Sequence, residues 1–303
     1  METAPIVLFC FNRPEHLKKT IEALQQNLLA AQSDLYIYAD GARHERDEAK
    51  VNAVRQYIRT ITGFKKIEII ERTQNWGLAE SVIAGVTEIV AKYGRVIVME
   101  DDLVCTNDYL DFMNQALNKY KQESTIFSVS GYLFPIDVPK NYQPELCLLP
   151  RASSWGWGTW YDRWQKADFN VSDFEQFMQD ETAKKDFMKG GEDLLPMLVK
   201  QRLGMIDSWA VRWCYTHFKN QAYCLYPIRS KIQSTGIDGA GTNVRYTHRF
   251  KTIISDKMPV MAEIEQLKAN EYLQKSLQKF FQLTPQRRLI NYFKVFRRWQ
   301  KST

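Results

Sequence analysis

Residues 5–102 alternate four short apolar runs with three amphipathic helical patterns, and few folds accept that order. "PIVLFCF" (5–11) is apolar, β-branched and aromatic and reads as a buried strand, and "LYIYAD" (35–40), "KIEIIER" (66–72) and "RVIVMED" (95–101) read as the second, third and fourth strands. Between them, Leu17, Ile21, Leu24 and Leu28 form one helical stripe behind Pro14. Val51, Val54, Ile58 and Ile61 form a second. Leu78, Val82, Val86 and Ile89 form a third, closed by Gly94. This βαβαβαβ order predicts an α/β fold: a mostly parallel central sheet with helices on both faces. Ligands of such sheets lie beyond the carboxyl ends of the strands. Here those ends are Phe11-Asn12-Arg13, Asp40-Gly41, Arg72 to Gly77, and Glu100-Asp101-Asp102. No GxGxxG or Walker A loop follows the first strand, so neither a dinucleotide fingerprint nor a P-loop is present.

The three consecutive acids demand an explanation, because repulsion and desolvation both oppose them at the end of a buried strand. Two readings stand. Asp is common in solvated turns after strands, and the acids could simply face water. Alternatively, carboxylate oxygens there hold a hard divalent cation together with nucleotide phosphates.

The second half is less regular. "IFSVSGY" (126–132) and "AYCLYPIRSKI" (222–232) read as strands, 171–203 and 207–219 as helical, and "STGIDGAGTN" (234–243) as a glycine-rich loop. The five Cys residues form no CxxC pair or metal spacing, which fits buried free thiols in a reducing compartment. No apolar run reaches the ~18 residues of a membrane span. A strand-like run begins within five residues of the start, which reads as no signal peptide and predicts a cytoplasmic protein. The formal charge of +6 equals the charge of one stretch, Arg287 to Lys301, which has six basic residues and no acid. A basic tail on a balanced body argues against nucleic acid as a partner. On a helical wheel Leu289, Tyr292, Phe293, Val295, Phe296 and Trp299 share a face, opposite Lys294, Arg297, Arg298 and Lys301. Such a helix suits an anionic membrane surface through residues 285–303, or docks on the protein by its apolar face.

The ordered set "PIVLFCFNRPEHLKKTIEAL", "YIYADGAR", "ERTQNWGLAESV" and "VIVMEDDLV" resembles nucleotide-sugar glycosyltransferases of the GT-A (Rossmann-like) fold. Within that fold it is most similar to the N-acetylglucosaminyltransferase I family and its bacterial relatives, which carry an E-D-D form of the D-x-D motif. The resemblance continues more loosely through "SVSGY", "SWGWGTW" and "DSWAVRW" to about residue 245. It implies a catalytic domain over 1–250 (nucleotide-binding half 1–104, acceptor half 105–250) and a helical extension over 251–303. It implies Mn2+ or Mg2+ as cofactor, a nucleotide-sugar donor and a glycan or lipid-linked acceptor, and membrane contact by the basic tail would fit a lipid-linked acceptor at the inner membrane face. Residue by residue, Phe11, Asn12 and Arg13 would reach the base or phosphates, and Asp40 the base. Arg72, Asn75 and Gly77 would flank ribose and diphosphate, Glu100 and Asp101 would face ribose and sugar, and Asp102 would bind the metal.

On the acceptor side, an inverting transfer needs a carboxylate to take the acceptor proton. Asp207 in "MIDSWAVRW" is the candidate, with an N-cap as its plainer reading and Asp162 in reserve. Trp155, Gly156, Trp157 and Gly158 would floor the donor sugar and acceptor, or else form a packed corner. The loop 234–243 would close over the donor. Asn243 stands where related loops carry a metal-binding His, and His248 is near enough to substitute. His217 reads as packed. The alternatives to a transferase of sugars are a nucleotidyltransferase on a similar fold and a non-catalytic glycan-binding protein.

Overall fold

The computed structural model describes residues 2–236, 247–267 and 269–296, apart from the side chain of Phe296. The first half runs β1 (Ile6–Cys10), α1 (Pro14–Gln25), β2 (Asp34–Ala39), α2 (Glu48–Ile58), β3 (Lys66–Glu71), α3 (Leu78–Tyr93) and β4 (Arg95–Glu100). After it come β5 (Leu103–Cys105), α4 (Tyr109–Lys119), β6 (Ile126–Ser130), β7 (Leu146–Leu149), β8 (Trp157–Trp160) and α5 (Tyr161–Trp164). The chain continues through α6 (Phe174–Gln179), α7 (Glu181–Phe187), α8 (Leu194–Arg202), α9 (Trp209–Lys219), β9 (Tyr223–Pro227) and β10 (Ile232–Ser234). It ends in α10 (Glu271–Phe280) and α11 (Pro285–Asn291).

An eight-stranded sheet is ordered β3-β2-β1-β4-β8-β6-β9-β7, and β5 pairs with β10 in a separate two-stranded sheet. Strands β1 to β4 are mutually parallel where they pair. β8 is antiparallel to both β4 and β6. The continuous apolar runs follow from burial on both faces. In β1, Ile6, Leu8 and Cys10 enter one core with α1 and α4, while Val7 and Phe9 enter another with α3 and α9. All five cysteines are buried and free, as expected.

The expected strand 222–232 is two strands in different sheets, because the chain leaves β9 at Pro227 and re-pairs as β10 with β5. Fully buried Lys231 marks that crossing. Its Nζ is ion-paired with Asp108 and donates to the carbonyls of Ser255 (2.7 Å) and Lys257 (2.8 Å), which ties down the strap after residue 247.

Of the predicted apolar face of the basic tail, only Val295 is buried among the described side chains. Asn291 and Val295 are buried, and Asn291 Oδ1 accepts from Lys200 Nζ (3.2 Å), while Leu289, Ile290, Tyr292 and Phe293 are exposed. Residues Tyr292–Phe296 form a wider π-helical turn, which breaks the 3.6-residue register that the wheel assumed. Arg297, Arg298, Trp299 and Lys301 lie outside the described residues.

Candidate active site

The three acids sit at the seam between the two sheets. Glu100 closes β4 opposite Phe9, and β5 begins at Leu103, so Asp101 and Asp102 form the turn between them. Something positive does lie there: Arg13 forks between them, ion-paired with Asp101 through one nitrogen and with Asp102 Oδ2 (2.9 Å) through the other.

The acids are therefore unequal. Asp101 is buried, and it also accepts from the backbone N–H of Phe11 (3.3 Å). It fastens the end of β1 to the seam, with its oxygens taken by Phe11 N–H and Arg13, whereas the resemblance had implied a place facing ribose and sugar. Asp102 is the more open of the two, with 15% of its side chain exposed against 4% for Asp101. Its backbone carbonyl accepts from Thr235 N (2.8 Å) and Oγ1 (3.1 Å), and Gly236 presses on its carboxylate. A Cβ on Gly236 would fall 1.9 Å from Asp102 Oδ2, so only glycine fits there. Positions 237–246, including Asn243 and the rest of the expected lid, lie outside the described residues.

Burial and the neighbouring Asp102 push the Glu100 carboxyl up from 4.5 to about 8, although Arg13 opposes this. Burial pushes Asp101 from 3.8 to about 6, against the pull of Arg13. Each acid has a higher pKa folded than unfolded, so the folded chain binds more protons between the two values. Their share of stability is full at acid pH and is lost as pH rises through about 6 for Asp101 and about 8 for Glu100. The metal-free protein should thus melt lower at about pH 8.5 than at about pH 5, and Glu100→Gln should flatten the slope above about pH 6. A wild-type melting point that climbs over that range would contradict this account.

Asp40 is buried and already saturated. Its Oδ1 accepts from the N–H of Gly41 and Trp76 (both 2.9 Å), and its Oδ2 from Asn75 Nδ2 and Gly77 N (both 3.0 Å). Four donors fill the four lone-pair positions of a carboxylate, which leaves none for a base. Asp40 instead shapes the 74–77 loop, and Asn75 is committed to it. Asn12 is likewise committed, donating to Asp47 Oδ1 (3.1 Å). Arg72 stacks its guanidinium 3.4 Å from the ring centroid of Trp76, an exposed indole that sequence reasoning passed over. Burial lowers the Arg72 pKa, and its buried Nε has no hydrogen-bond partner. Gly77, at φ 77°, turns the chain into α3 in a conformation that L side chains avoid.

Gly77 also locates Asp207. A Cβ there would lie 3.8 Å from Asp207 Oδ2, so the second-half acid faces the carboxyl-end rim of the first half. The N-cap of α9 is Ser208, whose Oγ accepts from Val211 N (3.3 Å), which leaves Asp207 free of that duty. Asp207 is exposed, and its Oδ1 accepts from Arg212 Nη2 (3.1 Å). Arg212 is held in turn by the carbonyls of Ser208 (3.1 Å) and Phe169 (3.3 Å). It was missed from sequence, although it stands in the same "DSWAVRW" segment.

Asp162 is excluded as a base by its position. Trp160 pairs with Arg95 at the start of β4, and Tyr161 N donates to Gly94 O, so Asp162 lies at the opposite end of the sheet. The tryptophan corner is core for the most part. Trp157 is fully buried and stacks on Trp209 at 4.9 Å, so it has no free face for a sugar. Cβ atoms on Gly156 and Gly158 would meet Ile232 Cγ1 (2.6 Å) and Val96 O (2.8 Å), so these glycines serve packing. Trp155 is half-buried between Tyr132 and Phe250. His217 is packed as expected, between Ser128 Oγ and Trp213 O, and burial lowers its pKa to about 4. His248 is exposed.

Among the described residues, no group of three or more His, Cys, Asp or Glu side chains converges as a metal cage. One hard carboxylate at Asp102 fits a cation whose shell substrate phosphates complete, the usual arrangement for Mg2+ and its analogues.

The sequence model for glycosyl transferase family 2 matches residues 6–178. No curated protein matches. Among solved structures, GalNAc-T7 with UDP, GalNAc and Mn2+ is similar at 10% identity and a TM-score of 0.50, over 77% of this chain and 44% of that one. S. aureus TarS is similar at 10% identity and a TM-score of 0.38, over 55% of this chain and 30% of that one. The chain thus spans less than half the length of either structure.

Proposed function

The chain belongs to glycosyl transferase family 2, and from that premise we propose that it moves a sugar from a UDP-sugar to a glycan or lipid-linked acceptor, with inversion and a divalent metal. GlcNAc is the sugar that the motif resemblance favours. The observation that carries the reading is the exposed Asp207 carboxylate, free of capping, set beside Gly77 on the rim where the strands of the nucleotide-binding half end.

Asp207 Oδ2 takes the proton of the acceptor hydroxyl as that oxygen attacks the anomeric carbon from the face opposite the leaving group. Arg212 holds Oδ1 and so aims the other oxygen. Asp102 would hold Mn2+ or Mg2+, with phosphate oxygens completing the shell. The bound metal would offset the charge that develops on the departing nucleoside diphosphate. Arg72, stacked on Trp76, offers a cation and a flat face at the same rim.

Calorimetry with UDP tests the metal assignment. UDP is expected to bind with Mn2+ and weakly without it, and Asp102→Asn should lose the difference. Metal-independent UDP binding by the wild type would refute that assignment, and no UDP binding at all would favour a non-catalytic glycan-binding protein.

We read residues 1–250 as the catalytic unit and 251–303 as an extension that shares its core, since Leu273, Leu277 and Phe281 pack into it. Its outer surface favours an anionic membrane as partner, which would station the protein at the inner membrane face. Leu289, Ile290, Tyr292 and Phe293 are exposed there, and the neighbouring Arg287 and Lys294 are basic. Among the described residues no helix is long and apolar enough to cross a membrane. Replacing Leu289, Tyr292 and Phe293 together by serine should abolish pelleting with anionic phospholipid vesicles without changing the melting temperature. Undiminished pelleting would sink the membrane reading.

A further inference from the structure

Arg13 has no local reason to lie where it does. It stands at the N-cap position of α1 but makes no capping hydrogen bond, and Pro14 already starts the helix. Its guanidinium instead spans two carboxylates that lie 88 and 89 residues away in sequence. Each carboxylate takes one charge-assisted hydrogen bond from it, a class roughly twice as strong as a neutral one.

The arrangement closes Asp102. Its Oδ2 accepts from Arg13 Nη1 at 2.9 Å, and the Gly236 backbone lies against the same oxygen. Two hydrogen bonds from Thr235 pin the Asp102 carbonyl, so its main chain is fixed. A second cation at that oxygen would meet the guanidinium at close range, where like charges in a partly buried site repel strongly. For Asp102 Oδ2 to take a metal, Arg13 has to let go.

We propose that Arg13 is a built-in cation that keeps Asp102 closed until a nucleoside diphosphate draws the guanidinium away, so that metal and nucleotide bind together and each binds poorly alone. The inference rests on the proposed metal role of Asp102. A diphosphate offers anionic oxygens in place of the one that Arg13 takes from each aspartate, so the exchange can keep both charge-assisted hydrogen bonds. The coupling is reciprocal: nucleotide tightens metal binding by the factor by which metal tightens nucleotide binding.

The test is Mn2+ binding to the full chain, followed by the electron paramagnetic resonance of free Mn2+, with and without UDP. Wild type and Arg13→Gln are compared after thermal melting has shown both to be folded. Wild type should bind Mn2+ alone at least about tenfold more weakly than with UDP. Arg13→Gln should bind Mn2+ alone about tenfold more tightly than wild type. If Arg13→Gln does not fold, Arg13→Met, which keeps an apolar stem and loses the charge, should bind Mn2+ alone more tightly than wild type. A variant that binds Mn2+ alone no better than wild type, while wild type binds it with UDP, overturns the closure and spares the metal site. Wild type that takes up no Mn2+ even with UDP overturns both.

Discussion

Asp207→Asn is expected to cut sugar transfer by about 10²–10⁴-fold, the usual contribution of a positioned general base. Stability should barely change. The side chain is 62% exposed, its hydrogen bond is to Arg212, and the helix cap belongs to Ser208. Surface changes of this kind fall within about 0.5 kcal/mol. Metal-dependent UDP binding should survive, because the loss lies in proton removal from the acceptor. Arg212→Met should lower turnover less, since the carboxylate remains and only its aim is lost. Asp162→Asn, at the far end of the sheet, serves as the control and should leave activity near wild type. An Asp207→Asn enzyme with undiminished turnover would remove the base from this site.

Lys231→Met is expected to cost the fold about 3–5 kcal/mol, the range for removing one partner of a buried ion pair. The melting temperature should then drop on the order of 10 °C. Lys231 is fully buried, and each of its three donors has a partner: Asp108, the Ser255 carbonyl and the Lys257 carbonyl. A methionine fills the space and leaves all three acceptors unpaired. The effect should also reach the site. Lys231 adjoins β10, whose continuation through Thr235 and Gly236 lies on Asp102, so metal-dependent UDP binding should weaken with stability. Asp108→Asn, which keeps a hydrogen-bonding oxygen, should cost less. A Lys231→Met protein that melts with wild type would show that the strap does not depend on this pair.

Element order was legible because it is written in local periodicity. The strands β1 to β4 fall within a residue or so of their expected runs; in β1, β2 and β4 burial on both faces requires an almost uninterrupted apolar stretch. Pro14 and Gly94 mark a helix start and a helix end through backbone chemistry that needs no partner. β10 was not legible. Its partner β5 is more than 120 residues earlier, and nothing in "IQS" announces that pairing. The tail's wheel held for Leu289, Tyr292 and Phe293, which are exposed together, and failed for Val295, which is buried in a π-helical turn whose register the wheel does not take into account.

By itself the sequence determined that four polar strand ends share one rim and that acids crowd at one of them, because strand direction and length follow from hydrophobic pattern alone. Only the tertiary structure decided what each polar group does there. Asp101 turns inward and Asp102 outward because Arg13 and the Phe11 N–H reach them from about 90 residues away. Asp40 is used up by four donors from its own and the neighbouring loop. Trp157 is closed in by Trp209. Asp207 keeps an oxygen free because Ser208 takes the cap. A carboxylate's role depends on which donors arrive and how much water remains, and both are properties of neighbours in space that residue order does not record.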